Sequence, residues 1–285
     1  MPELPEVETI RRQLQKKIVG RTIKFVEVLY PKVVHQMSTT DFIATLKGRQ
    51  VREVGRQGKL ILIRLSGNET LVVHLKMTGR LLLDTIKDSP SQLKRTVLDR
   101  TKFTEVILTF TDNMVLRYDD LRRFGYMKIL PTSEEAKLVH TEEMGIDFFD
   151  HTLTPAKFRE LLLSRSGSQI KPLLLDQSLI AGIGNIYAQE ACFITLIHPL
   201  RKVGDLSEKE LTALYSALRS VMLSAIKHGG TSSNDYRDAF GKMGKFAKYL
   251  KVYGHEGKPC LRCKTKLLKK SIGGRGTVFC PRCQK

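Results

Sequence analysis

At 285 residues the chain is long enough for two domains, each with a core of its own. Its apolar content of 41% is ordinary for a globular protein, no apolar run is long enough to cross a bilayer, and no charged start followed by an apolar stretch marks an export signal. These features exclude a membrane protein and point to the cytoplasm. Forty-eight Lys and Arg against 29 Asp and Glu leave +19, which predicts a polyanionic partner, with nucleic acid ahead of membrane because no basic amphipathic anchor stands out.

The chain opens Met1-Pro2-Glu3-Leu4-Pro5-Glu6. If Met1 is trimmed, Pro2 becomes a free secondary amine beside two carboxylates. An α-amino group titrates near 8 and a lysine near 10.4, so at neutral pH the terminal amine is deprotonated roughly a hundredfold more often. Such an amine attacks an electrophilic carbon, forms an iminium ion with an aldehyde equivalent, and leaves Glu3 to move the proton. On these six residues alone a plainer reading suffices: two prolines at a helix start, with Glu3 and Glu6 complementing its dipole. Val7, Ile10, Leu14 and Ile18 then recur at helical spacing as far as Gly20, a stripe that docks the amino terminus onto a core.

From Thr22 to Leu130 the pattern turns to short strands, read at Ile23 to Tyr30, Gln50 to Val54, Leu60 to Leu65, Leu71 to Leu75, Arg80 to Leu83, Glu105 to Phe110 and Val115 to Tyr118. Gly67-Asn68 and Asp112-Asn113 mark hairpins, and the spacing predicts a β-sandwich. Acidic and polar residues between Pro131 and Asp150 read as a link. Helices follow, one capped by Thr154 with Pro155 in its first turn, another opened by the capping box Ser207/Glu210 and running to Gly229. Residues 230–250 lack periodicity and read as a loop. The fold class expected is α+β, divided as 1–131, a β-sandwich with an N-terminal helix; 132–150, a linker; 151–250, helical; and 251–285, a β-hairpin ribbon.

Two C-x2-C knuckles, Cys260/Cys263 and Cys280/Cys283, stand sixteen residues apart. Each aims two thiolates at one ion, and together they complete a closed tetrahedral site for one structural Zn2+ rather than disulfides, since a cytoplasmic chain keeps its thiols reduced. Cys192 stands alone and reads as a small core residue. From Gly241 onward there are thirteen Lys or Arg and one acidic residue, Glu256, so the last 45 positions carry +12 of the +19.

Both ends of the chain, and motifs between them, resemble the formamidopyrimidine-DNA glycosylases, bacterial repair enzymes acting on oxidised purines. The resemblance rests on Pro2 to Thr9, His74-Leu75-Lys76-Met77-Thr78-Gly79-Arg80, Asp120-Leu121-Arg122-Arg123-Phe124-Gly125, Gly182-Ile183-Gly184-Asn185-Ile186-Tyr187, Gly274-Arg275-Gly276-Thr277 and the knuckles. Each motif is weak alone, but their order covers essentially the whole chain. It implies a bifunctional DNA glycosylase/AP lyase in which Pro2 attacks C1′ of the damaged nucleotide, Glu3 helps open the sugar, Glu6 supports that corner and Lys59 touches phosphate and assists proton transfer. It implies further that Asn185, in a helix-two-turn-helix, and Arg275, in the ribbon, grip the backbone and that Arg275 takes part in catalysis. His74 and Lys171 would be other DNA contacts. Met77, Arg122 and Phe124 match the wedge that fills the gap left by the extruded base, with Arg122 toward the orphaned cytosine.

The partner implied is double-stranded DNA bearing oxidised bases or abasic sites, engaged by a monomer. Two departures stand out. Phe103 and Glu105 occupy positions where many relatives carry a histidine pair, and Gly229-Gly230-Thr231-Ser232-Ser233-Asn234 replaces the usual Gly-Gly-Ser-Thr. Two other readings compete: an endonuclease VIII-like enzyme for oxidised pyrimidines, which Leu4 disfavours because those relatives begin Pro-Glu-Gly-Pro-Glu, and a non-catalytic zinc-ribbon DNA-binding protein, which would leave Pro2, Glu3 and Lys59 idle.

Overall fold

The computed structural model describes residues 2–85, 101–232 and 235–285; residues 1, 86–100 and 233–234 lie outside them. The chain divides into two compact units, one of residues 1–137 with 229–245, the other of residues 138–228 with 246–285.

In the first unit, helix α1 (Leu4–Ile18) precedes two four-stranded antiparallel sheets. One sheet runs β1 (Ile23–Val28), β6 (Thr104–Phe110), β7 (Met114–Asp120), β5 (Gly79–Thr85). The other runs β2 (Val51–Gln57), β3 (Leu60–Leu65), β4 (Glu69–His74), β8 (Tyr126–Pro131). The expected hairpins form where residues tolerate positive φ: Gly67 and Asn68 between β3 and β4, Asn113 between β6 and β7. The stripe Val7, Ile10, Leu14 and Ile18 enters one core with Val54, Ile61, Ile63, Leu71 and Val73 of one sheet and Leu108, Phe110, Leu116 and Tyr118 of the other. The amino terminus is thereby fixed to the sandwich.

In this unit a strand and an α-helix went unread in the sequence. Strand β8 is buried along four successive residues and carries the buried Lys128, so it shows no alternation. Helix α2 (Thr39–Leu46), capped by Ser38, buries only Phe42 and Leu46, too few to announce a period. The segment 229–245, placed with the helices on sequence grounds, groups with the first unit because Ala239 N–H donates to Gln13, Leu83 N–H donates to Ala239 O and Gln13 donates to Asp238.

The second unit holds a short helix α3 (Leu138–Thr141) and a two-residue pairing of β9 (Ile146–Asp147) with β10 (Ile180–Ala181). Helices α4 (Pro155–Leu163), α5 (Ile170–Leu174), α6 (Asn185–Ile194) and α7 (Glu208–Lys227) follow. Thr154 caps α4, and Ser207 with Glu210 closes the capping box of α7. The ribbon hairpin pairs β11 (Leu268–Ile272) with β12 (Arg275–Phe279) through Gly273 and Gly274, both at positive φ. Phe193 of α6 packs with Val252, Leu267 and Val278 beneath it, and the buried Glu190 carboxylate accepts the N–H groups of Lys251, Val252 and Tyr253.

Candidate active site

Helix α1 builds the first corner. Glu3 is its N-cap, and the Glu6 carboxylate, fully buried, accepts the Glu3 N–H at 2.9 Å through Oε2 and the Thr231 N–H at 2.7 Å through Oε1. Pro2 and Glu3 are themselves buried. Glu6 therefore ties the residue after Pro2 to the start of the 231–245 loop. One turn later the Glu8 carboxylate, which burial alone would push up, is held low by Arg11 and Arg12 and by the charge of Arg56. Arg56 bonds Glu8 at 3.1 Å and the Gly58 carbonyl at 2.8 Å, so α1 is connected directly to the Gly58-Lys59 turn joining β2 to β3.

His74 lies beside that turn, since Leu60 and His74 are register partners. Burial first, then the charges of Lys76 and Lys59, push His74 down to about 3, so its imidazole is neutral. Its Nδ1 accepts the Lys76 N–H at 3.0 Å, which leaves the ring proton on Nε2. The structure thus offers an uncharged N–H donor between two lysines.

Met77 is half-buried in the turn between β4 and β5, and Arg122 and Phe124 are exposed on the loop between β7 and β8, with the Arg122 guanidinium 4.6 Å from the Phe124 ring centroid. The two loops meet at residues the sequence reading did not single out. Asp120, fully buried, accepts the Thr78 hydroxyl and the N–H groups of Arg122, Phe124 and Gly125. Both lie inside quoted motifs, where a short polar side chain beside a turn was the available signal. Glu105 is 1% exposed, with Arg123 Nε at 3.7 Å, and burial, then Asp120, raise it to about 7 against the opposing Arg123 charge. A carboxyl with that proton affinity is a different group from the histidine expected there.

In the second unit Asn185 opens α6 after Gly184, and its Nδ2 donates to the Gly276 carbonyl at 3.2 Å. Gln189, one turn on, donates to Gly276 O and accepts the Val278 N–H. These bonds fasten the ribbon hairpin to α6 and present the exposed Arg275 next to Asn185. Lys171 is fully buried and donates to Thr277 Oγ1 at 2.7 Å, while that hydroxyl donates to Arg275 O. Lys171 therefore supports the hairpin from behind. Gln189 and Glu190, the joints of this assembly, left no sequence signal beyond following the glycine turn.

The four cysteine sulfurs lie within 4.8 Å of one another, with Cys260 to Cys283 at 3.9 Å and Cys263 to Cys280 at 3.4 Å. Four sulfurs about 2.3 Å from one tetrahedral zinc stand about 3.8 Å apart, whereas a disulfide needs about 2.05 Å. The donor set fits one structural zinc ion. Cys192 is buried in the helical part, apart from that cluster, and burial pushes its thiol up to about 12, as suits an inert core residue.

The described residues thus place a buried proline and two glutamates at the start of a helix packed on a sandwich, and a glycine-turn helix bonded to a four-cysteine ribbon. Family models match along the chain: the formamidopyrimidine-DNA glycosylase N-terminal domain over residues 1–127, the H2TH domain of the same proteins over 144–237, and the zinc finger found in FPG and IleRS over 257–285. A formamidopyrimidine-DNA glycosylase of Pelotomaculum thermopropionicum is 41% identical over 285 residues, covering 100% of this chain and 99% of that protein. A Bacillus cereus protein of the same name is 39% identical with the same coverage. Among solved structures, a Lactococcus lactis Fpg mutant in complex with Fapy-dG DNA has a TM-score of 0.88 at 34% identity, and the Lactococcus lactis Fpg with abasic-site DNA has 0.88 at 35%, each covering 100% of both chains. The chain belongs to the formamidopyrimidine-DNA glycosylase family: it is a DNA glycosylase of base excision repair, with AP-lyase activity part of that family and one structural zinc in its ribbon.

Proposed function

We propose that this chain excises oxidised purines, 8-oxoguanine and formamidopyrimidines, from double-stranded DNA, with the nitrogen of Pro2 as nucleophile once Met1 is removed. The observation that carries the reading is the buried corner in which Glu6 holds the Glu3 N–H at the N-terminus of α1. The positive end of the helix dipole disfavours an additional proton on an amine placed there, which keeps the lone pair available. Pro2 attacks C1′, the C1′–base bond breaks, and the sugar is left as an iminium. Glu3 moves the proton that opens the ring. The protons beside the iminium are acidified, and the phosphates on both sides leave by β and then δ elimination.

Lys59 touches phosphate and assists proton transfer, and Arg275 provides a second cationic group at the departing phosphate. His74, neutral and carrying its proton on Nε2, donates to the backbone without adding charge. Asn185 grips the backbone, Lys171 contributes by holding the Arg275 hairpin, and Met77, Arg122 and Phe124 fill the gap left by the flipped base. The zinc stabilises the ribbon and takes no part in the reaction. The domain division assigned from the sequence belongs to this reading, with 229–245 counted with the sandwich. Among the described residues no helix is long and apolar enough to cross a membrane; we place the chain in the cytoplasm and expect a monomer.

One observation favours a secondary pyrimidine activity: the wild-type Lactococcus lactis Fpg, TM-score 0.87, is known in complex with DNA containing an oxidised pyrimidine. Excision of 8-oxoguanine and thymine glycol from matched duplexes separates the readings. Faster release of the purine is expected, and faster release of the pyrimidine would move the chain to the endonuclease VIII-like branch.

A further inference from the structure

We propose that Thr78 and Asp120 are positioning residues that set Met77, Arg122 and Phe124 as a single wedge before DNA arrives; this rests on the wedge reading above. The two wedge loops are 42 residues apart in the chain, and one buried carboxylate joins them. Asp120 Oδ1 receives the Thr78 hydroxyl and, at 3.1 Å, the Arg122 N–H; Oδ2 receives the Phe124 N–H at 3.0 Å and the Gly125 N–H at 2.8 Å. The Thr78 oxygen also accepts the Arg122 N–H at 3.0 Å. Four donors thus meet the four lone-pair sites of a carboxylate that is 0% exposed, an arrangement in which each donor is fixed by charge-assisted bonds in a low dielectric.

Both loops also carry left-handed backbone close to these bonds. Lys76, immediately before Met77, has φ +47°, and Arg123, between Arg122 and Phe124, has φ +56°. Left-handed conformations are unfavourable for such side chains and persist where the surroundings over-determine them. Tyr118 closes the arrangement from below: a Cβ at Gly79 would stand 2.7 Å from its hydroxyl and one at Gly125 1.7 Å, so both loops need glycine to pass it. Phe124 is held 53% exposed as a result. The exposed ring is covered only in part, by the Arg122 guanidinium, and adds little to the core. It is pre-ordered for insertion, so that the entropy of arranging three side chains is not charged to the base-flipping step.

The test uses zinc-loaded protein lacking Met1 and two substrates. In a duplex with 8-oxoguanine opposite cytosine the wedge has a gap to fill. In a single strand with an abasic site it has none. Thr78→Val and Asp120→Asn should slow single-turnover excision from the duplex by about 10- to 100-fold, the equivalent of one charge-assisted hydrogen bond. Thr78→Ser should restore the rate to within about threefold, the Thr78→Val/Asp120→Asn double variant should be no slower than Asp120→Asn because the two act through one joint, and borohydride trapping on the single strand should stay within about threefold of wild type. Duplex excision at the wild-type rate, or a parallel loss on the single strand, overturns the proposal. Should Asp120→Asn not fold, Thr78→Val decides alone. Met77→Ala and Phe124→Ala keep the underlying reading separate: wild-type excision by both removes the wedge itself, whereas slow excision by them with normal excision by the Thr78 and Asp120 variants removes only the positioning role.

Discussion

The sandwich buries Ile61, Leu71, Val73, Leu108, Phe110 and Tyr118 from two sheets together with the stripe of α1, whereas the ribbon's core is Val252, Leu267 and Val278 with two of its own cysteines, resting on Phe193. The proline corner at the start of α1 is thus mounted on apolar surface removed from water, and the Arg275 hairpin on a metal site and polar joints that include Asn185, Gln189 and Glu190. A large core tolerates the loss of one contact and fails by degrees. A ribbon with so few apolar residues depends on each of its few supports.

Chelating the zinc is the most severe way to separate the two regions. A structural zinc contributes about 10 to 16 kcal/mol, as much as the whole margin of about 5 to 15 kcal/mol of an ordinary domain. Amide hydrogen exchange in chelator should show residues 268–279 unprotected while β3 and β4 keep their protection, with binding to duplex DNA lost. In the opposite direction, Leu71→Ala in the sandwich should cost about 2 to 5 kcal/mol in denaturant unfolding without changing zinc content. Glu190→Ala, which strands three N–H groups at 251–253, should cost about 2 to 3 kcal/mol, read as faster exchange confined to that segment and the ribbon, with Glu190→Gln intermediate.

The smallest effect concerns Glu105, whose affinity for a proton is raised by burial and by Asp120 and Asp119 against the opposing Arg123 charge. Its folded value of about 7 lies above the unfolded value of 4.5, so the folded state favours the protonated form. Stability from this group is complete below about pH 4.5 and is lost as the pH rises through 7. Glu105→Gln should therefore match the wild-type melting temperature at pH 4 and exceed it at pH 8.5.

The same contrast decides what could be read from the chain alone. Strands such as Leu60–Leu65 and the α1 stripe are local patterns of hydrophobicity and emerge from spacing. The cysteine pairs emerge because metal geometry dictates their separation. The joints do not. Thr78 finds Asp120, Glu6 finds Thr231 and Lys171 finds Thr277 across 42, 225 and 106 residues, by hydrogen bonds between common residue types that no periodicity marks. Lys171 shows the consequence most plainly: the resemblance implies a DNA contact there, and nothing in the sequence marks that the side chain is enclosed behind the hairpin. Strand β8 was hidden for a related reason: Met127 and Ile129 enter the core while Lys128, on the opposite face, is buried as well, so the run shows no change between inside and outside.

The central claim is that the mature chain begins at Pro2 and that its nitrogen becomes bonded to deoxyribose. Borohydride reduction of the complex with abasic DNA, followed by proteolysis and mass spectrometry, tests it most directly. The account predicts a reduced sugar adduct on the amino-terminal peptide starting at Pro2. An adduct on Lys59 or another lysine, or complete strand scission by protein that retains Met1, would contradict it.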